Sequence, residues 1–141
     1  MEKIIWKAGT PVCSLHDMQV NDFRIEKDRM ILCTSTGLVR TVPPCGQQDG
    51  HVEFFRVNWD FSYAYLLRYD GLAGNTGTFQ GEKMFLKEFL RRFPTPDYMI
   101  LDETYGYHQA KYSGFFQVGK EIQECLLEIC YDGDLVFVIQ E

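Results

Sequence analysis

The sequence has little of what marks a membrane protein or a nucleic-acid-binding protein. Its longest late apolar run, Leu135 to Ile139, is far too short to cross a bilayer, and the apolar run near the N-terminus is too short for a secretory signal. Basic residues are scarce, with 14 Lys and Arg against 20 Asp and Glu. The resulting formal charge of −6 disfavours nucleic acid and anionic membranes as partners.

Paired cysteines and metal-ligand spacings are also missing. The five cysteines are an odd number and contain no C-x-x-C pair. They are therefore predicted to be free thiols in a reducing cytoplasm. His16, His51 and His108 stand at no spacing typical of metal ligands, so neither a metal site nor a cofactor is expected.

Two common catalytic or phosphate-binding motifs are absent. No Gly-x-Ser-x-Gly elbow occurs, and the glycine-rich stretch 71–77 lacks the Gly-Lys-Ser/Thr ending of a P-loop. No internal repeat or shift in composition divides the chain, which predicts a single globular domain over residues 1–141. Apolar residues make up 45% and aromatic residues 15%, enough to build a core without disulfides or metal.

Strand patterns dominate the chain. Phe23–Glu26 and Met30–Thr34 flank Lys27-Asp28 and predict a β-hairpin. A second hairpin is predicted from Ile122–Cys130 and Leu135–Gln140, because Asp-Gly between apolar runs favours a tight turn. Residues 61–70 alternate most clearly. They are predicted to pair with residues 51–58 and to pack a face of tyrosines against the core or a helix.

One helix is predicted, near residues 81–93. Phe85, Phe89 and Phe93 recur at helical spacing and are expected to be buried, and Pro94 ends the run. Residues 71–81 are predicted to be a loop. The fold class is therefore α+β: mostly antiparallel β, as a curved sheet or open sandwich of eight or nine strands, with one amphipathic helix.

The segment Cys13 to Asp17 is the first candidate for catalysis. His16 beside Asp17 suggests an oriented general base, with Cys13 as a nucleophile. In an extended segment, however, neighbouring side chains face opposite sides. The favoured interpretation is structural, with Asp17 in a turn and His16 bonded to a backbone carbonyl.

The segment Asp102 to His108 is the densest polar and aromatic cluster. Asp102 and Glu103 could serve acid–base chemistry, but on a strand the two carboxylates point apart. Gly106 between Tyr105 and Tyr107 indicates a turn that joins two strands. A structural role is favoured here, followed by contact with a ligand or partner.

Three stretches resemble a group of small uncharacterised bacterial β-rich proteins. They are Leu15-His16-Asp17, the segment Ile100 to Tyr107 with its following Ser113-Gly114-Phe115, and the closing Gly133-Asp134-Leu135. The group has no established activity. The resemblance implies a β-rich cytoplasmic domain and supplies no catalytic residues.

Two functional hypotheses remain. The leading one is a non-enzymatic cytoplasmic binding or protein-interaction module, because the chain is acidic and rich in aromatic residues. Its candidate surfaces are the predicted loops 71–81 and 104–110, with Tyr105, Tyr107, His108, Asp102 and His16 as contact residues. The alternative is a small enzyme or small-ligand-binding protein whose pocket combines His16 or His108 with Asp102 or Glu103.

Overall fold

The strands of this chain form one long antiparallel sheet and a small second one. A computed structural model describes residues 1–70 and 78–140. In chain order the strands are β1 (Glu2–Trp6), β2 (Cys13–Ser14), β3 (Gln19–Glu26), β4 (Arg29–Thr34), β5 (Leu38–Arg40), β6 (Gly46–Gln48), β7 (Gly50–Phe54), β8 (Tyr63–Asp70), β9 (Thr78–Phe85), β10 (Tyr98–Gly106), β11 (Gln109–Val118), β12 (Glu121–Cys130) and β13 (Leu135–Ile139). A 3-10 turn at Trp59–Phe61 precedes β8, and the helix α1 spans Leu86–Arg92. The α+β, β-rich fold class is confirmed.

Ten strands form the large sheet in the order β1-β13-β7-β4-β3-β10-β11-β12-β8-β9. The sheet folds back so that its two halves share one core. Phe54 on the third strand of this order lies 6.3 Å, ring to ring, from Tyr112 on the seventh. The rings of Tyr105 on β10 and Phe137 on β13 also lie close across this core, 6.0 Å apart from centre to centre. The architecture is therefore an open sandwich made from one continuous sheet.

The sheet turns its corner between β3 and β10. These two strands pair only through Gln19 and Val20, and β10 then shifts register between Ile100 and Asp102. A bulge of this kind bends a strand and increases its twist. Gly114 lies opposite the bulge, where a Cβ atom would collide with the Met99 carbonyl. The bulge therefore lies on β10, opposite Ser113-Gly114 of β11.

The helix begins at Leu86, five residues later than predicted, and has seven residues. Residues 78–85, which cover the predicted start of the helix and the end of the predicted loop, form strand β9 and pair with β8. Phe85 stacks on Tyr63 and is 52% exposed, so its predicted burial is wrong. Phe89 is fully buried and contacts Phe23, while Phe93 is half-buried. Strand pairing overrode the helical spacing at residues 81–85.

Two predicted strand pairs are wrong. β7 pairs with β4 and β13, whereas β8 pairs with β9 and β12. β12 and β13 do not pair with each other, because the chain between them crosses from one half of the sandwich to the other. The β3–β4 hairpin is confirmed.

The prediction that the tyrosine face of β8 packs inward is also wrong. Ala64 and Leu66 point into the core, and the tyrosine face points outward. The Lys83 ammonium lies 4.2 Å from the ring centre of Tyr63 and 5.5 Å from that of Tyr65. Cation–π contacts give these outward rings a partner.

The small sheet, in the order β2-β5-β6, bridges the two halves. Arg40 on β5 binds Glu2 on β1 at 2.8 Å, and Ser14 on β2 binds Glu103 on β10 at 2.5 Å. In the described part of the chain, no helix has the length and apolar character needed to cross a membrane.

Candidate functional site

A groove of about 560 Å3 opens at one end of the sandwich. Four connections or strand ends meet there: the end of β1, the end of β7, the β10–β11 turn and the β12–β13 connection. Such ends carry binding residues because the strands behind them are held rigidly. The groove is lined by aromatic, charged and glycine residues: Trp6, Lys7, Phe55, Arg56, Tyr107, His108, Tyr131, Asp132, Gly133 and Asp134.

The floor of the groove is fixed by backbone hydrogen bonds of the β12–β13 connection. The Tyr131 N–H donates to the His108 carbonyl at 3.1 Å, and the Asp132 N–H donates to the Arg56 carbonyl at 2.8 Å. On the other side, the Phe55 N–H donates to the Asp134 carbonyl at 2.9 Å. The floor therefore uses these polar backbone groups internally and presents side chains to the groove.

Two lining residues hold a backbone conformation that L-residues rarely adopt. Arg56 has φ 53° and His108 has φ 52°. A left-handed conformation costs a non-glycine residue roughly 1–2 kcal/mol. Backbone strain of this kind concentrates at functional sites, where the surrounding structure maintains it. Of the four described non-glycine residues with positive φ, these two line the groove, whereas Asp17 and Lys27 lie elsewhere.

His108 is anchored and Tyr107 is free. The His108 Nδ1 lies 3.0 Å from the Tyr131 carbonyl oxygen, which can only accept, so Nδ1 carries the hydrogen. The Tyr107 ring packs edge-on against the His108 ring at 4.4 Å and is otherwise open, with the residue 92% exposed. The ring therefore presents an apolar surface and a polar hydroxyl to solvent at the rim of the groove.

The groove carries charges of both signs. The Arg56 guanidinium donates to the Asp132 carbonyl at 2.8 Å, which holds its side chain against the wall. The Asp132 and Asp134 carboxylates have no hydrogen-bond or ion-pair partner among the described residues. Beneath them, burial raises the pKa of Tyr131 to about 12.

Glu103 and Tyr105 belong to a separate hydrogen-bond network. The Glu103 carboxylate accepts from the Ser14 hydroxyl at 2.5 Å, the Leu15 N–H at 2.8 Å and the Tyr105 hydroxyl at 3.0 Å. The Tyr112 hydroxyl donates to that of Tyr105 at 3.1 Å. These bonds join β2 to β10 and occupy both oxygens of Glu103.

A second cavity of about 370 Å3 lies beside this network. Cys13 is on its wall, but the thiol is a poor nucleophile because burial raises its pKa. The same cause raises the pKa of Cys33 and, strongly, that of Cys125. All five cysteines are free thiols.

The remaining predicted site residues lie apart on the surface. His16 and Asp17 occupy a turn, with Asp17 at φ 63°, and not an extended segment. Their side chains therefore meet, with Nδ1 and Oδ2 3.2 Å apart, and are 60% and 62% exposed. His16 contacts this carboxylate where a backbone carbonyl was expected. Asp102 is exposed at the bulge of β10.

The residues predicted for the contact surface and for the alternative pocket thus lie in different places. Tyr107 and His108 line the groove, Glu103 and Tyr105 line the second cavity, and His16 and Asp102 line neither. Of the predicted contact loop 71–81, residues 71–77 lie outside the described residues. Of the loop 104–110, only Tyr107 and His108 form a turn, because β10 and β11 continue to Gly106 and from Gln109.

Other groove residues were not singled out from the sequence. Trp6, Phe55, Arg56 and Tyr131 come from three distant segments of the chain, and only the sandwich brings them together. The sequence offered one signal for this part of the groove, because Asp132-Gly133 is typical of a tight connection between strands. Among residues 1–70 and 78–140, no group of three or more His, Cys, Asp or Glu could hold a metal ion.

No known protein family matches the chain, and no curated protein or solved structure is significantly similar to it.

Proposed function

We propose that this protein is a non-enzymatic binding module that takes an extended segment of a partner protein into the groove at the end of the sandwich. The observation that carries the proposal is the fully exposed ring of Tyr107, held beside the strained residues Arg56 and His108. Residues with strained backbone beside an exposed aromatic ring are expected at a contact surface.

The chemistry of the groove favours recognition through side chains. Its floor already uses the polar backbone groups of Tyr131, Asp132 and Asp134, so those groups do not pair with an added strand. A polyproline II segment needs no such pairing, because its backbone stays solvated and it docks on aromatic grooves. The aromatic rings of Trp6 and Tyr107 line the groove in which such a segment would dock.

The charged side chains of the groove indicate which kind of side chain the bound segment carries. Asp132 and Asp134 offer two carboxylates that have no partner among the described residues, whereas Arg56 is held by a backbone carbonyl. A basic side chain in the bound segment would meet the carboxylates. The proposed occupant is therefore a proline-rich segment that carries an arginine or lysine.

The enzymatic alternative has less support. It required His16 or His108 to share a pocket with Asp102 or Glu103. His108 lines the groove, while Glu103 bonds Ser14 and Tyr105 on the wall of the other cavity. A general base needs hydrogen-bond reach to its substrate and an orienting group. Neither of these two cavities is lined by His16 or His108 together with Asp102 or Glu103, the combination that the alternative required.

The test is a titration of a fluorescently labelled proline-rich peptide carrying arginine, followed by polarisation. The wild type should bind with a dissociation constant of roughly micromolar order, and Tyr107→Ala should weaken binding at least about tenfold. A peptide with glutamate in place of arginine is the matched control and should bind more weakly. Ile5→Ala, on an exposed residue of β1 outside the groove lining, should bind as the wild type. Equal binding of both peptides, or no effect of Tyr107→Ala, contradicts the proposal.

A further inference from the structure

The second cavity, of about 370 Å3, lies between β10 and the small sheet and is separate from the groove. Its walls come from β10, from β2 and from the segments next to β2 and β5. The hydroxyl and carboxylate side chains on these walls are those of Thr10, Ser14, Thr41, Glu103 and Tyr105. Small-molecule sites usually have a volume of roughly 300–1,000 Å3. The second cavity is therefore large enough for a small ligand.

Among the described residues that line this cavity, Glu103 is the only charged one. It is half-buried, and no Lys, Arg or His side chain of residues 1–70 and 78–140 forms an ion pair with it. Arg40, which lies opposite Cys13 on the neighbouring strand, is already paired with Glu2 at 2.8 Å. Charged residues that are withdrawn from water are normally paired. The second cavity therefore offers a carboxylate, held by neutral donors, to a cation from outside.

The hydrogen bonds of Glu103 leave one acceptor position open. Its Oε1 accepts from the Ser14 hydroxyl at 2.5 Å, whereas its Oε2 accepts from the Leu15 N–H at 2.8 Å and from the Tyr105 hydroxyl at 3.0 Å. A carboxylate has about four lone-pair positions, two on each oxygen, so the open one is on Oε1. A guanidinium forks onto both oxygens, whereas an ammonium bonds as a compact point charge through one hydrogen. The open position therefore suits an ammonium group better than a guanidinium.

The rest of the lining supplies further acceptors and an aromatic ring. The Thr41 hydroxyl donates to the Pro11 carbonyl at 3.2 Å, which leaves the lone pairs of its oxygen to accept hydrogen bonds. Thr10 adds a second hydroxyl, and Tyr105 adds a ring of the kind that attracts cations. An ammonium group has three donors and no acceptor, which matches a lining of this composition.

We infer that the second cavity binds a small primary amine, with the ammonium group on Glu103 Oε1 and the hydroxyl oxygens of Thr10 and Thr41 as further acceptors. The positive charge of the amine pairs with the carboxylate, so a neutral molecule of the same size binds much more weakly.

The amine site goes beyond the proposed function. The second cavity and the groove share none of their described lining residues. Binding of the amine and binding of the peptide are therefore independent, and each can fail without the other.

The test is a titration with propylammonium chloride at constant ionic strength, followed in amide correlation spectra of isotope-labelled protein. The amide signals of Thr10, Ser14 and Thr41 should shift saturably, with a dissociation constant of about 1–10 mM for so small a ligand. Propanol, which has the same carbon chain without the charge, should give no saturable shift. Guanidinium chloride in the same concentration range should bind at least about fivefold more weakly.

Three variants assign the site. Glu103→Gln removes the charge, while its amide oxygen can still accept from Leu15 and Tyr105 and its amide nitrogen can donate to Ser14. It should weaken binding of propylammonium at least about tenfold. Asp102→Asn removes a neighbouring exposed carboxylate outside the cavity lining and should bind as the wild type.

The third variant, Thr10→Phe, fills the cavity from an exposed position and leaves the hydrogen bonds of Glu103 in place. It should also weaken binding at least about tenfold, and it decides the question if Glu103→Gln does not fold. A wild type without saturable shifts up to about 50 mM propylammonium overturns the inference. Wild-type affinity in a folded Glu103→Gln or Thr10→Phe variant overturns it too, and so does guanidinium that binds as tightly as propylammonium.

Discussion

The Gly133 N–H donates to the Phe55 carbonyl at 3.0 Å, and a Cβ atom at Gly133 would lie 2.6 Å from that same oxygen. The β12–β13 connection therefore approaches the end of β7 as closely as a residue without a side chain allows. This contact holds the floor of the groove against the first half of the sandwich.

We predict that Gly133→Ala lowers the free energy of unfolding by about 1–3 kcal/mol, because the backbone of one segment must move. Urea unfolding followed by circular dichroism measures the change. Gly106→Ala is the control, since the nearest atom to its Cβ would be 4.0 Å away. Equal stability of the two variants would show that the close approach does not matter.

The Tyr112 hydroxyl donates a hydrogen bond to the Tyr105 hydroxyl, which in turn donates to the Glu103 carboxylate. Tyr105→Phe removes two hydrogen bonds and leaves the buried Tyr112 hydroxyl without its acceptor. Tyr112→Phe removes only one bond and leaves Tyr105 bound to Glu103. We therefore predict a cost of about 2 kcal/mol for Tyr105→Phe and about 1 kcal/mol or less for Tyr112→Phe. The reverse order, in the same unfolding measurement, would contradict the assigned donors.

Phe89 and Phe85 were predicted alike from the sequence but differ in the fold. Phe89 is fully buried against Phe23 and Phe116, so Phe89→Ala should cost about 3–5 kcal/mol. Phe85 is 52% exposed, so Phe85→Ala should cost no more than about 1.5 kcal/mol. Similar thermal shifts in the two variants would indicate that Phe85 is buried in solution.

Alkaline pH should unfold the protein. Burial raises the pKa of Tyr131 to about 12 and raises those of Tyr98, Tyr105 and Tyr112 well above 10. Tyrosines of the unfolded chain lose their protons near pH 10 while the folded chain keeps them. These tyrosines should therefore leave the free energy of unfolding unchanged below about pH 10 and lower it as the pH rises above 10.

The variant Tyr131→Phe isolates one of these groups. It should reduce the loss of stability between about pH 10 and pH 12 by roughly 2 kcal/mol. Tyr107→Phe removes an exposed hydroxyl and should keep the wild-type profile. Denaturant unfolding at a series of pH values measures both, and a stability that stays constant up to pH 12 would contradict the prediction.

Local sequence patterns predicted the fold class and the β3–β4 hairpin, because alternation and a two-residue turn are local properties. They did not predict which distant strands pair. Asp132-Gly133 has the signal of a hairpin turn, yet it carries the chain between the two halves of the sandwich. At residues 81–85 the helical spacing of Phe85 competed with pairing to β8, and the pairing prevailed.

Only part of the candidate site could be predicted from the sequence. Tyr107 and His108 were predicted as contact residues within one segment, and they line the groove. Trp6 and Arg56 lie far away along the chain, and their approach depends on how the sheet folds back. The resemblance to small bacterial β-rich proteins stays a prediction.

The most direct test of peptide binding uses the fluorescence of Trp6 on the wall of the groove. Trp59, the other tryptophan, is outside the groove lining, so the variant Trp59→Phe leaves Trp6 as the sole reporter. Titration of this variant with the arginine-bearing proline-rich peptide should give a saturable change in Trp6 emission. The change should disappear when Tyr107→Ala is added. Emission that is unaffected by the peptide, or that changes equally without the Tyr107 ring, would contradict the account.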